Sequence, residues 1–275
     1  QYLIYIQKFF MGDWGTSLYT HMPVFRDVMY YLPPTIELVV VSYFIATLIG
    51  IPLGVLSAVN RNKWFDHLVR LFSISGISVP PFWLGILLQF VFFRTLRVLP
   101  LEGVVDPYVA ITSPIQRITG FYILDSLITG NIIALQSVLA HMILPALTLA
   151  TLPLALNVRM IRTMMIEVLQ ENYIRTSRAY GLPKNLIYFR YALKNAIIPA
   201  LNVLGLSFAS SLCGVFLVEF IFDWPGLGNY TIFAILGNDY PVIVAVTMLG
   251  TTIYVVITLF LDLIQAYLDP RVRLG

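Results

Sequence analysis

Read for polarity alone, the chain alternates between long uncharged runs and short charged interruptions. The uncharged runs cover Leu38–Val59, Leu71–Phe93, Ser126–Val158, Ala196–Val218 and Pro241–Leu261, the third broken only by His141, and each holds at least 21 residues. At about 1.5 Å of helical rise per residue, such a run crosses a hydrocarbon core about 30 Å thick. The runs do not alternate in polarity, which excludes the roughly ten-residue strands of a membrane barrel. The pattern predicts an all-α, polytopic helical membrane protein. Five spans are visible, at about 35–59, 70–93, 137–160, 196–219 and 241–266.

Proline and glycine divide this pattern further. Leu32-Pro33-Pro34-Thr35 predicts the entry to the first span, so residues 1–34, with the turn cluster Gly12–Ser17, read as an external lead-in. Val79-Pro80-Pro81 predicts a kink near the middle of the second span. Residues 94–136 carry Pro100, Gly103, Pro107, Pro114, Gly120 and Gly130 and read as a folded external cap. Between the third and fourth spans lies the loop 161–195. There Gly181 permits a turn that a β-carbon would strain, and Pro183 starts a helix. Lys184–Lys194 then reads as a short amphipathic helix with Leu186, Phe189 and Leu193 on one face and Lys184, Arg190 and Lys194 around it. Such a helix suits a groove on a partner protein, and equally a lipid headgroup layer.

Composition sharpens the picture. The chain is 59% hydrophobic and 11% charged, against roughly 25% charged in soluble domains. Its mean hydropathy is +0.83. The net charge of +3 is too small to imply a nucleic-acid partner. The loops 60–70 and 159–194 with the tail 269–275 hold 12 of the 17 Lys and Arg, and residues 1–37, 94–125 and 219–240 hold five. By the positive-inside rule the first group is cytoplasmic, which puts Gln1 outside and Gly275 inside. A sixth span upstream of Gln1 would bring both ends to the cytoplasm.

Catalytic signals are weak. His21, His67 and His141 lie apart and lack the spacing that seats a metal on one helix face. Gly226-Leu-Gly228-Asn229 has Asn where an intramembrane aspartyl motif needs its acid, and Gly205-Leu-Ser207 lacks the second Gly of a nucleophile elbow. No Gly-Lys pair occurs, so the chain has no phosphate-binding P-loop; any ATP it uses is bound by another chain. The lone Cys213 makes no internal disulfide. Glu219 and Asp262, near span ends, are the acids that a transport role would single out.

Six ordered pieces then carry a resemblance. They are Gly12-Asp-Trp-Gly-Thr-Ser17, Leu32-Pro-Pro-Thr35, Ile143-Leu-Pro-Ala-Leu-Thr148, Glu171-Asn-Tyr-Ile-Arg-Thr-Ser-Arg-Ala-Tyr-Gly181, Val218-Glu219 with Pro225-Gly-Leu-Gly228, and Asp269-Pro-Arg-Val-Arg273. Together they resemble the membrane-spanning permease subunit of an ATP-binding-cassette importer of the dipeptide/oligopeptide type. The resemblance covers nearly the whole chain.

It implies a type I importer transmembrane domain over 35–268, a sixth span upstream, a cytoplasmic coupling loop at 161–195 and a cytoplasmic tail at 269–275. At the family's Glu-Ala-Ala positions this chain has Arg175, Thr176 and Ser177, with the following Gly181 retained. ATPase coupling is then expected of Arg178, Gly181, Leu182, Pro183, Lys184, Leu186, Phe189, Arg190 and Leu193. Asn157, Asn202, Ser207, Ser210, Ser211 and Glu219 are candidates for the translocation path, and each equally suits interhelical hydrogen bonding. Asp223, Trp224, Pro225, Gly226 and Gly228 form an external loop. The implied partners are a second homologous permease subunit, two ATPase subunits carrying ATP and Mg, an extracellular or periplasmic solute-binding protein and the cell membrane bilayer. The chain itself is expected to bind no cofactor and no metal. Peptides rank first as substrate and oligosaccharides second, and a passive channel or secondary carrier is the alternative of a different class.

Overall fold

The structure, a computed structural model, describes Gln7, Phe9 and residues 11–268, and of Cys213 and residues 265–268 the backbone alone. The expected tail, Asp269 to Gly275, lies outside the described residues. In chain order the helices are α1 (Val24–Val59), α2 (Trp64–Ser78), α3 (Pro81–Leu88), α4 (Pro107–Thr112), α5 (Tyr122–Ile128), α6 (Ile132–Val168), α7 (Asn172–Ala179), α8 (Lys184–Leu186), α9 (Leu193–Gly214), α10 (Phe216–Ile221), α11 (Leu227–Leu236) and α12 (Tyr240–Leu268). Wider π-helical turns follow α3 at Gln89–Thr95 and α8 at Ile187–Ala192. One isolated antiparallel bridge joins Thr16 to Pro23.

Among the described residues four helices are long and apolar enough to cross a membrane: α1, α6, the continuous helix Lys184–Leu212, and α12. The count of five is reached only if α2 and the segment Pro81–Thr95 are taken together as one broken span. The expected kink at Val79-Pro80-Pro81 is thus a full interruption. α2 ends with Val79 extended, and Pro81, which has no N–H to give, opens the next helix.

The chain divides into two compact units, Gln1–Val41 with Phe82–Thr148 and Ser211–Tyr254, and Ser42–Pro81 with Leu149–Ser210 and Val255–Gly275. In the first, Trp14, Val24 and Val28 pack with Leu227, Tyr230, Val242 and Ala245. The Asp239 carboxylate accepts from Ser17 Oγ at 2.6 Å and Leu18 N at 2.7 Å, which fastens the lead-in turn.

The lead-in is shorter than 1–34. α1 begins at Val24 and runs through Pro33 and Pro34, which do not mark its start. The prolines remove the donors that would serve the carbonyls of Met29 and Tyr30, four residues back. Arg117 supplies one replacement: its guanidinium donates to Tyr30 O and lies 3.5 Å from the centroid of the Tyr30 ring. The first unit's polar support is therefore what lets a proline pair sit inside a helix.

The segment 96–131 holds the short helices α4 and α5. Its hub is Asp125, which accepts from Ile118 N, Thr119 N, Thr119 Oγ and Gly120 N at 2.6–3.2 Å. Burial pushes its carboxyl up, and these four donors outweigh that and hold it below the usual carboxylate range.

In the second unit small residues let helices touch. Gly54 of α1 faces Ile161 of α6, where a β-carbon would come within 2.8 Å of the Ile161 side chain. Gly50 meets Asn157 and Gly76 meets Ala155 in the same manner.

Two outcomes follow. Gly54→Ala is expected to lower thermal stability by about 1–3 kcal/mol through overpacking. Gly214→Ala, where nothing lies within 4 Å of the added carbon, should leave it unchanged or slightly raised. Thermal unfolding in detergent compares the two. Because Asp125 is depressed in the fold, its contribution is complete above its unfolded value near about 4 and is lost as pH falls through the folded one. Hydrogen exchange over 113–121 should therefore loosen as pH falls below about 4, and Asp125→Asn should show the loosened state at pH 7.

Candidate functional site

The loop 161–195 folds as a corner. α6 continues to Val168, α7 runs from Asn172 to Ala179, and the chain turns at Tyr180-Gly181. The turn is a Schellman cap: Gly181 N donates to Arg178 O at 3.0 Å, Leu182 N donates to Ser177 O at 3.3 Å, and Gly181 has φ +71°. The added carbon of any other residue would meet no atom within 4 Å there, so glycine is required by the backbone angle alone. Pro183 caps the next helix, its carbonyl accepting from Leu186 N and Ile187 N.

That next helix does not stop at Lys194. α8, the π-helical turn and α9 run on continuously to Gly214, so the expected short amphipathic helix is the first part of a long one. Its packed face also differs. Ile187, Ala192, Ala196 and Ala200 are buried, Leu186 and Leu193 are half-buried, and Phe189 is exposed. A π-helical turn holds more residues than the 3.6 of an α-helix, which brings positions five apart to one side. The expected partner-facing set Leu186/Phe189/Leu193 is therefore distinct from this packed face. Arg190 and Lys194 are exposed, as are Arg178, Pro183 and Lys184, while Leu182 is half-buried.

The free-standing short helix at this corner is α7. It is anchored by buried Ile174, which packs with Val55, Ala58, Ile161, Met165 and Ile187. Asn195 Nδ2 donates to Tyr173 Oη at 2.7 Å and ties α7 to the start of α9. Beyond these anchors, Asn172, Arg175, Thr176, Arg178, Ala179 and Tyr180 are all exposed, Tyr180 at 80%.

Behind the corner sits a buried ion pair. Asp66, at the first turn of α2, is fully buried and accepts from Arg162 Nε at 2.6 Å and Nη2 at 2.9 Å, from Ser57 Oγ at 2.6 Å and from Asn62 N at 2.9 Å. Its oxygens thereby join α1, the turn at Asn62, α2 and α6. Sequence reasoning missed Asp66 and Arg162. The available signal was an acid set among basic residues just before an uncharged run.

The proposed path residues include both buried and exposed positions. Asn157 is buried between helices and donates from Nδ2 to Ala46 O at 3.3 Å. Ser207 Oγ and Tyr43 Oη are 2.7 Å apart, Ser210 Oγ donates to Leu206 O at 3.0 Å, and Asn202 and Ser211 are half-buried.

Glu219 is buried in the first unit and closes a loop. It accepts from Thr35 Oγ at 2.6 Å, Gly228 N at 2.7 Å and Asn229 N at 3.1 Å. Thr35 Oγ in turn accepts from Leu227 N at 2.7 Å. The carboxylate thus caps the N-terminus of α11, where free N–H groups favour negative charge. Gly226 and Gly228 make room for it: a β-carbon would lie 2.2 Å from a Glu219 oxygen at the first and 2.8 Å from one at the second. Residues 223–228 accordingly form a turn closed by a buried acid. Within it Trp224 is fully buried and donates from Nε1 to Pro34 O at 3.0 Å, and Asp223 Oδ1 accepts from Asn229 Nδ2 at 3.2 Å. Asp262 lies exposed on α12. Among the described residues no three of His, Cys, Asp and Glu come together to hold a metal ion.

The family described as binding-protein-dependent transport system inner membrane component matches residues 50–274. The chain belongs to this family. It is a transport subunit and a multi-pass membrane protein, and its all-helical architecture is the type I importer transmembrane fold. Over all of its 275 residues it is 44% identical to a "Probable D,D-dipeptide transport system permease protein" of Escherichia coli (strain K12), of which it covers 80%. A dipeptide transport system permease protein of Alkalihalophilus pseudofirmus is 41% identical over 99% of the chain and 81% of that relative. An oligopeptide transport system permease protein of Bacillus subtilis (strain 168) is 36% identical over 99% and 80%. The family resemblance carried by the six sequence pieces agrees with this membership.

The buried pair is testable by itself. Asp66→Asn strands Arg162 and Arg162→Gln strands Asp66, so each should cost about 3 kcal/mol of stability. The double variant should cost clearly less than the sum. Thermal unfolding of all four proteins measures the coupling.

Proposed function

We propose that this chain is a permease subunit of an ATP-driven importer of di- and oligopeptides, and that α7 with the turn to Pro183 receives the motor subunit. The observation that carries the second statement is the exposure of that corner. Besides Tyr173, six positions from Asn172 to Tyr180 project from a helix held by Ile174 and the Tyr173–Asn195 hydrogen bond. Exposed tyrosine and arginine together are the composition of a protein-protein contact centre. The peptide assignment is supported by the relatives, whose names specify dipeptide, D,D-dipeptide and oligopeptide transport.

On this reading the corner faces the cytoplasm, in line with the seven Lys and Arg of 159–194. Two ATPase subunits bind ATP and Mg, a second permease subunit completes the path, and an external binding protein delivers the peptide. Closure of the ATPases pushes on α7. The Schellman cap and the π-helical turn join α7 to α9 without a flexible linker, and Asp66–Arg162 braces α6 against α1 and α2. Motion at the corner is thereby passed to whole helices as rigid-body displacement, which opens the path to alternate sides.

Tyr180→Ala should weaken ATPase retention by about 2 kcal/mol, roughly thirtyfold, and reduce peptide uptake while the spans stay folded. Gly181→Ala, which strains the positive-φ cap, should do the same with every exposed side chain in place. Peptide uptake and co-purified ATPase are measured for both. Normal uptake by Tyr180→Ala and Gly181→Ala together would contradict the docking role.

A further inference from the structure

A second feature of the Asp66 region is not used by the motor-docking reading. Between α2 and α6 lies a pocket of about 140 Å³ lined by Val69, Arg70, Ser73, Ile74, Ile77, Val158, Arg159 and Arg162. Three arginines meet there. Asp66 is spent on Arg162, which holds it with two hydrogen bonds, whereas Arg70 Nε stands 3.8 Å from the same carboxylate. Arg70 Nε is buried with no hydrogen-bond partner, and Arg70 Nη2 lies 2.6 Å from His67 Nδ1. Among the described residues none pairs with the Arg159 guanidinium, which is exposed. Three cations against one anion leave the pocket with two uncompensated positive charges.

Its position along the helices is equally informative. Arg70 is the residue just before the uncharged run that starts at Leu71, and Arg159 is the residue just after the run that ends at Val158. The two guanidinium groups therefore mark the level where apolar helix gives way to charge, which is the headgroup level of a bilayer. On the apolar side of them the pocket is walled by Ile74 and Ile77, both exposed. The pocket is too small for a whole lipid and open along an apolar face.

We infer that this pocket between α2 and α6 is a binding site for an anionic phospholipid, whose phosphate lies between Arg70 and Arg159 and whose acyl chain lies along Ile74 and Ile77. The charge selects an anion, and the adjoining apolar wall selects one that carries a tail. A basic pocket between helices at a membrane boundary is suited to a lipid headgroup. The Asp66–Arg162 pair fixes the separation of α2 and α6 and so sets the width of the pocket.

The test uses the full-chain permease in mixed micelles with phosphatidylglycerol and phosphatidylethanolamine in equal amounts, reading retained lipid by native mass spectrometry. The wild type should retain phosphatidylglycerol preferentially. Arg70→Gln and Arg159→Gln should each reduce that preference about fivefold, and the pair together should abolish it. Ile74→Trp, which fills the pocket at unchanged charge, should also abolish it. Neither inorganic phosphate nor glycerol 3-phosphate in excess should displace the lipid. Arg97→Gln, a charge removed elsewhere, should retain the full preference, and thermal unfolding in neutral detergent should be unchanged in the variants. A preference that survives Arg70→Gln/Arg159→Gln, equal retention of both lipids, an equal loss in Arg97→Gln, or displacement by free glycerol 3-phosphate would overturn the assignment.

Discussion

A carboxylate taken out of water must be met by hydrogen-bond donors, and this chain meets that demand in both units. Asp66 is answered by Arg162, Ser57 and the backbone at Asn62. Glu219 is answered by Thr35 and the backbone of Gly228 and Asn229. Each acid joins segments far apart in sequence, and removing either partner would leave a buried polar group unpaired. In a protein whose helices gain little from hydrophobic attraction inside lipid, such polar closures and close small-residue contacts fix which helices meet. The Asp66 knot braces the helices behind the α7 corner. The Glu219 knot shapes the turn between α10 and α11.

What the fold leaves exposed is as ordered as what it buries. α12 shows Val255, Val256, Leu259, Phe260 and Leu263. These suit lipid or a neighbouring permease, since isolated exposure of so much apolar surface is unfavourable in water. The α7 corner shows charge and two tyrosines instead, which suits neither acyl chains nor a buried helix contact. The pocket at Arg70 and Arg159 combines both characters. Three surfaces of different chemistry are thus exposed: an apolar one, a charged one and one that combines both.

Much of this was legible in the sequence, and the reasons differ by element. The uncharged runs place α1, α6, α9 and α12 because a 21-residue apolar stretch has few other stable fates. Gly181 reads correctly because a positive φ is a local requirement that sequence exposes directly. The start of α1 was missed because Pro33 and Pro34 break a helix by local rules, and the donor that rescues Tyr30 O is Arg117, far along the chain. The packed face of the 184–194 segment is not legible from α-helical spacing, because the π-helical turn changes the period on which a face is read. Glu219 was weighed as a path residue, since sequence shows an acid near a span end and not the two glycines folded over it. Asp66 and Arg162 are 96 positions apart, and their pairing is a tertiary fact.

The central claim is that the exposed α7 corner is where the motor subunit docks. A photo-activated cross-linking residue at position 180, introduced into the complete transporter in native membranes, tests this most directly. The account predicts one major adduct, with an ATP-binding subunit, that is lost when that subunit is absent. Adducts with lipid alone, or none with any protein while uptake persists, would contradict it.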